Sequence, residues 1–388
     1  MRHSRVGNVL FYVGDCRSVL ASLPDESVHC CVTSPPYWGL RDYGVPPTVW
    51  GGDLACKHEW GVRQPLNRKS GLHRMPPNQT GGTKDYSTVA NGRGAFCTRC
   101  FAWCGAFGLE PTYQLYVEHC VEIFREVHRV LRKDGTLWLN LGDSYCSGGR
   151  ATWRSGVSEN KGQDVLNDMP RPAQPTDLKP KDLIGLPWRV AFALQADGWY
   201  LRQDIIWAKP NQMPESVTDR CTKAHEYLFL LSKDKSYYFD AEAIQTPVQR
   251  THNGGKFRGP TNLAVSVKAR GTGNGHGGLT SNRDVKRGVR NRRSVWIINT
   301  KGYSEAHFAT FPPSLIEPCI KAGCPEDGVV LDPFGGAGTT GMVATKFGRC
   351  AVLIDLSDKY TNMAIRRVKK YFDARGFLRP KQTEMLFP

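Results

Sequence analysis

Short apolar runs alternate with amphipathic stretches toward both ends of the chain. Val9–Asp15 (VLFYVGD) and Val28–Tyr37 (VHCCVTSPPY) are rich in β-branched and aromatic residues, and the intervening CRSVLASLPDES can wind into a helix. From Tyr116 to Arg132, the residues Val117, Cys120, Val121, Phe124, Val127, Val130 and Leu131 fall on one helical face; Asp134-Gly135 stops the helix before the strand TLWLNLG. Leu183–Pro210 repeats the scheme as a helix, a turn at Asp197-Gly198 and a strand closed by a Lys-Pro corner. HEYLFLLSK and SYYFD then read as paired strands. This alternation predicts an α/β fold with a mostly parallel, twisted sheet and helices on both faces.

The strongest local pattern lies in Gly328–Gly341, GVVLDPFGGAGTTG, followed by CAVLIDLS at Cys350–Ser357. The strand VVLD runs into a loop whose Gly335, Gly336 and Gly338 let a ligand approach the backbone, and a helix starts near Thr339-Thr340. Asp355 ends the next strand, where a carboxylate can accept both hydrogen bonds of a ribose diol. The unit is Rossmann-like, but it lacks the regular G-x-G-x-x-G spacing of a nicotinamide-dinucleotide site, which stays as an alternative.

Charge narrows the partners. The 388 residues carry 52 Lys and Arg against 36 Asp and Glu, a net of +16, which points to a polyanion and most simply to nucleic acid. No run reaches the roughly 18 apolar residues of a membrane span, and the N-terminus lacks a signal-peptide pattern, so the expectation is a cytoplasmic protein with no membrane partner. The 13 cysteines are scattered and odd in number, which suggests free thiols and a metal site rather than a disulfide framework.

At the other end, TSPPYW puts Ser34, Pro35, Pro36 and Tyr37 directly after a strand. Together, TSPPYW and DPFGGAGTTG resemble the S-adenosylmethionine-dependent DNA amino-methyltransferases, with the catalytic tetrapeptide preceding the cofactor loop as in the beta arrangement of that family. An exocyclic amine is a poor nucleophile because its lone pair is delocalised into the ring. The resemblance implies that the Ser34 side chain and the Pro35 carbonyl accept the amine's hydrogens and that Tyr37 stacks on a base flipped out of double-stranded DNA. Trp38 either widens that platform or packs in the core. For the cofactor, S-adenosyl-L-methionine, the resemblance implies Asp15 at the adenine amine, Asp332 near the methionine amino group, Phe334 against the cofactor, and Thr310 and Phe311 around the methionine moiety. Pro318-Cys319 reads as structural.

The serine at the first tetrapeptide position resembles the N4-cytosine group, with N6-adenine as the alternative. An RNA amino-methyltransferase and a non-catalytic DNA-binding relative are the further readings; a zinc hydrolase is disfavoured for want of an open ligand position. The bacterial or phage-like setting leaves open a homodimer and a separate cognate restriction endonuclease.

Two inserts interrupt the pattern. Residues 47–110 hold Cys56, His58, Cys97 and Cys100, three sulfurs and an imidazole suited to a closed structural zinc site; free thiols are the alternative, and Cys104 could replace one ligand. Its linker, Arg63–Arg93, is basic and poor in apolar residues. Residues 249–300 include Arg250–Arg293, with eleven Lys or Arg against the single acid Asp284, and read either as a solvated loop or as the DNA target-recognition region. Lys209, Arg220, Arg287, Arg290, Arg292 and Arg293 are the candidate DNA contacts. Around these inserts, residues 1–46 and 111–248 form the catalytic half and 301–388 the cofactor-binding half.

Overall fold

The structure is a computed structural model that describes residues 2–40, 42–61, 94–146, 177–247, 288–301 and 310–375. The Arg63–Arg93 linker, most of the Arg150–Lys181 loop, Arg287 and most of the basic stretch ahead of it lie outside these residues.

A nine-stranded sheet organises the chain. Its strands are β1 (Arg2–Val6), β2 (Val9–Val13), β3 (Val28–Thr33), β7 (Leu131–Leu141), β8 (Tyr200–Ala208), β9 (His225–Ser232), β12 (Val295–Ile297), β13 (Val329–Asp332) and β14 (Cys350–Asp355). They lie in the order β1-β2-β14-β13-β3-β7-β9-β8-β12. Five of the eight neighbouring pairs run parallel; β1 with β2, and β9 with both β7 and β8, run antiparallel.

Alternation along each strand divides the core in two. Val329, Leu331, Val352, Ile354, Leu137 and Leu139 face one side, where they pack with α1 (Cys16–Ser22), α2 (Tyr113–Val130) and α3 (Leu186–Ala196). Val330, Ala351, Leu353, Val32 and Trp138 face the other, against α4 (Pro313–Gly323), α5 (Thr339–Lys346) and α6 (Asp358–Arg375). The N-terminal half therefore covers one face and the C-terminal half the other, as expected of strands buried on both sides. Local signals set the helix starts: the Asp15 carboxylate accepts from Arg17 N–H at 2.9 Å, and Thr112 Oγ1 accepts from Leu115 N–H at 3.2 Å.

Two details differ from the pattern reading. The helix expected to run to Arg132 ends at Val130, and Arg132–Gly135 bulge out of β7: Val28 pairs with Leu131 while Cys30 pairs with Thr136. SYYFD is not a strand. Tyr238 N–H donates to Asp134 and Asp240 N–H to Ala322, and the rings of Tyr237 and Phe239 meet edge-on while Phe239 stacks on Trp138, so its alternation serves an irregular segment draped over the sheet end.

Among the described residues of the first insert lies a separate three-stranded sheet, β4 (Thr48–Trp50), β5 (Ala95–Phe96) and β6 (Trp103–Gly105), in the order β4-β6-β5. β10 (Thr246–Pro247) pairs with β11 (Val289–Arg290) where the second insert leaves and rejoins the body.

Candidate active site

Parallel neighbours end on the same edge, so β2, β14, β13, β3 and β7 deliver Asp15, Asp355, Asp332, Ser34 and Asp143 to one rim of the sheet. β8 runs in the same sense and adds Lys209; β9 runs against it and presents Glu226 from its first residues. The carboxyl end of an open parallel sheet is where such folds bind ligands.

Asp332 joins the two motifs. Its side chain, 1% exposed, accepts from Thr33 Oγ1 at 2.7 Å, Thr340 Oγ1 at 2.6 Å and Phe334 N–H at 3.1 Å. One carboxylate thus ties the residue before Ser34 to the loop and the first turn of α5. Burial pushes its pKa up to about 6, against the pull of the two hydroxyls and the amide.

In the glycine loop, Gly336 and Gly338 have φ of +47° and +75°, and a Cβ at Gly338 would come within 2.8 Å of Ala364 Cβ. Asp355 accepts from Ser357 N–H at 2.8 Å and Gly336 N–H at 3.0 Å, and burial raises it to about 6 despite those amides. Each oxygen retains lone-pair capacity for a ribose hydroxyl, so loop and carboxylate fit a nucleoside-bearing cofactor. Asp15 is more committed: besides capping α1 it holds the Arg17 guanidinium at 2.7 Å. Phe334 stacks on Phe107 with ring centroids 5.6 Å apart. Phe311 packs against the second core, and Thr310 is half-buried at the edge of residues 302–309, which lie outside the described ones.

Around the tetrapeptide, Ser34 Oγ donates to Tyr37 OH at 3.3 Å, and Tyr37 OH reaches Glu226 Oε2 at 2.9 Å and Asn140 Oδ1 at 3.2 Å. Asn140 Nδ2 also donates to Glu226 Oε2 at 3.2 Å, and Lys209 Nζ pairs with Glu226 Oε1. Burial and the neighbouring Glu226 carboxylate hold the Tyr37 phenol well above its usual pKa, so it is a neutral donor. Its ring lies on Gly142, where a Cβ would approach within 2.6 Å. Tyr116 OH donates to the Pro36 carbonyl at 2.9 Å and fixes the corner. Trp38 belongs to the core: it is 1% exposed and its indole N–H donates to Glu110 O at 2.9 Å. Glu226, Asn140 and Phe107 were not singled out from sequence, because each reaches the site from a strand or insert far along the chain. The run of apolar residues after Glu226 marks a strand, so its acidic first residue was the one available signal.

The candidate DNA contacts divide. Lys209 points into the pocket network and lies over the Trp207 ring at 4.2 Å, rather than standing free at the surface. Arg220 pairs with Glu215 at 2.5 Å and covers Tyr145 at 4.0 Å. Arg293 is exposed; Arg292 packs over Trp296 at 4.4 Å, and burial lowers its pKa. The Nε atoms of Arg290 and Arg292 have no hydrogen-bond partner among the described residues. Lys223, also near the rim, keeps Nζ 4.0 Å from Asp143 Oδ2 with no hydrogen bond among those residues, and burial lowers its pKa. Pro318 and Cys319 sit inside α4, both buried, with Cys319 in the second core. No helix among the described residues is long and apolar enough to cross a membrane.

Comparison with known proteins agrees with this geometry. A family described as DNA methylase, the N6/N4 methyltransferases, matches residues 28–366. The chain is 41% identical to the type II methyltransferase M.SmaI of Serratia marcescens over 92% of its length and 89% of that protein. It is 38% identical to M.Cfr9I of Citrobacter freundii, covering 92% of this chain and 87% of the relative. Among solved structures, PvuII DNA methyltransferase, described as cytosine-N4-specific, shares the fold with a TM-score of 0.51 and 16% identity, over 95% of this chain and 92% of that one. With its two motifs meeting on one sheet edge, the chain belongs to the N6/N4 DNA methylase family and is an S-adenosylmethionine-dependent DNA amino-methyltransferase.

Proposed function

We propose that the enzyme methylates the N4 amine of cytosine in duplex DNA, flipped out to face the corner that Ser34, Pro35 and Tyr37 form at the end of β3. The observation that carries amine methylation, on either base, is the direction of the hydrogen-bond chain, and the serine itself supports cytosine. Ser34 donates its one hydroxyl proton to Tyr37, which donates onward toward Glu226 or Asn140. With its proton committed, Ser34 Oγ keeps its lone pairs as acceptors, suited to take an amine hydrogen. The Pro35 carbonyl, fixed by two consecutive ring-locked φ angles, accepts the other. Held this way, the amine nitrogen becomes pyramidal and its lone pair is freed to attack.

S-adenosylmethionine supplies a methyl group activated by its sulfonium sulfur. When it is bound, Asp355 would accept from the ribose hydroxyls, Gly335–Gly338 would admit the cofactor to the backbone, and Phe334, propped by Phe107, would pack beside it. Asp332 holds the two motifs in register, and Asp15 lies at the far end of the same edge. The Tyr37 ring, fixed against Gly142, supplies the stacking face. As the nitrogen takes the methyl carbon, the C–S bond would break and S-adenosylhomocysteine would leave as a neutral thioether, while the methylated nitrogen, cationic with both of its own hydrogens, would lose one of them to become neutral. The serine, where a carboxylate or amide could stand, supports cytosine over adenine, and the fold neighbour PvuII methyltransferase is itself described as cytosine-N4-specific. Arg293 and the other basic residues of the second insert grip phosphate. The type II relatives suggest that a separate endonuclease reads the same sequence.

The test is to incubate the protein with S-adenosylmethionine and unmethylated duplex DNA, digest to nucleosides and identify the product by mass spectrometry. N4-methylcytosine is expected; N6-methyladenine as the sole product overturns the base assignment.

A further inference from the structure

Cys56, His58, Cys97 and Cys100 converge although more than thirty residues separate the two pairs. Their ligand atoms all lie within 4.8 Å of one another. Cys56 Sγ and Cys97 Sγ are 3.9 Å apart, and Cys100 Sγ is 3.4 Å from His58 Nδ1. A disulfide needs a sulfur separation of about 2.05 Å, so the first pair is not bonded. A tetrahedral zinc with Zn–S of about 2.3 Å and Zn–N of about 2.0 Å has edges of about 3.8 Å between sulfurs and about 3.5 Å from sulfur to nitrogen. Both distances match. Cys104 falls outside the group, which decides between the alternatives left by the sequence.

The surrounding backbone is also arranged for a metal. Arg99 N–H points at Cys97 Sγ at 3.4 Å, and Phe101 N–H closes the turn onto Cys97 O at 3.0 Å. Phe101 has φ of +61° while its ring is 78% exposed, so no packing of its own holds a bulky side chain in the left-handed region. The two halves meet through Gly61 N–H to Phe96 O at 2.9 Å and Thr98 N–H to Glu59 O at 2.8 Å. Strands of two and three residues cannot supply much hydrophobic stabilisation, and such small units need a staple.

We infer that these three cysteines and His58 Nδ1 bind one Zn2+ in a closed tetrahedral site whose role is to hold the insert against the cofactor loop. The mechanical path is an aromatic stack. Trp103 of β6 stacks on His119 with centroids 5.4 Å apart, His119 on Trp50 of β4 at 4.3 Å, Trp50 on Phe107 at 5.4 Å, and Phe107 on Phe334 at 5.6 Å. Phe334 lies inside DPFGG. β6 starts three residues after Cys100, so the metal fixes the first member of a stack that ends at the loop. Four protein ligands leave no position for water or substrate, and the metal takes no part in methyl transfer.

Elemental analysis of full-length protein purified with zinc present should find about one zinc per chain. Cobalt substitution should give the intense visible bands of a tetrahedral site and a sulfur charge-transfer band. Cys104→Ser should retain the metal; Cys97→Ser and the milder His58→Ala should lose it or hold it far less tightly. Should Cys97→Ser fail to fold, chelator competition on the wild type reads the same affinity. Removal of the metal should raise the Kd for S-adenosylmethionine about tenfold, measured without DNA. Wild-type protein that takes up neither metal overturns the site; a metal-bearing site whose emptying leaves cofactor affinity unchanged overturns the coupling. Neither readout depends on which base is methylated.

Discussion

Two corners of the same rim, on adjacent strands, are built by opposite means. After β3, the chain uses two prolines and a train of side chains, Ser34, Tyr37, Asn140, Glu226 and Lys209, to hold one hydroxyl in one orientation. After β13, it uses glycines and backbone amides, with Gly336 N–H on Asp355. In the proposed mechanism the first corner fixes an atom against a small target that arrives repeatedly, and the second lets a large ligand reach the main chain. Rigidity therefore comes from rings and side-chain networks where a lone pair has to be aimed, and from missing side chains where surface has to be approached. Asp332 is where the two solutions meet.

The largest expected effect comes from removing the aimed group. Ser34→Ala should lower single-turnover methyl transfer by about 10²–10³-fold while leaving the Kd for S-adenosylmethionine within about twofold of wild type; an equal loss in both would erase the distinction between the corners. Asp332→Ala should damage both at once. It leaves the buried hydroxyls of Thr33 and Thr340 without an acceptor, at about 1–3 kcal/mol each, and should lower the unfolding midpoint, the cofactor affinity and the transfer rate together. Gly338→Ala should act on the second corner alone, weakening cofactor binding by about 1–3 kcal/mol because of the positive φ and the 2.8 Å contact with Ala364. Equilibrium dialysis with the labelled cofactor would measure it.

The smallest effect is a pH dependence. In the proposed role, the Asp355 carboxylate, raised to about 6, would have to be ionised to accept both ribose hydrogens. Cofactor affinity should be flat above neutrality and fall by at most about tenfold per unit as pH drops below about 6, and Asp355→Asn should flatten that profile. For the free fold the sign reverses. Asp332 and Asp355 have folded pKa values above the ordinary 3.8, so their burial favours the protonated forms. Stability from these two groups is present below 3.8 and is lost as pH rises to about 6.

What could be read from the sequence follows the range of the interactions. VVLDPFGGAGTT and TSPPYW are each contiguous, so their strands and turns were legible from spacing, whereas their meeting on one rim was implied by the family resemblance. The Cys/His set was legible because sulfur and imidazole are rare enough to stand out at a distance. Glu226 was not, since an acidic residue at a strand start is ordinary until Tyr37 is folded against it. Phe107 resembled any aromatic of the insert. SYYFD misled because alternation records which side of a segment is buried, and a segment lying over a sheet end can satisfy it without pairing. Trp38 was open to two readings until Glu110 O was found on its indole N–H.

The strand order carries a consequence for how the enzyme is made. β2 and β3 are joined by a single helix, yet two strands, β14 and β13, separate them in the sheet. The centre of the sheet is thus filled by residues 329–355, whose partners left the ribosome some three hundred residues earlier. Until that stretch emerges, β3 has no neighbour on its β13 side and Thr33 no buried carboxylate to bind. The rim that carries both motifs is therefore complete only once the last two strands of the sequence lie between β2 and β3.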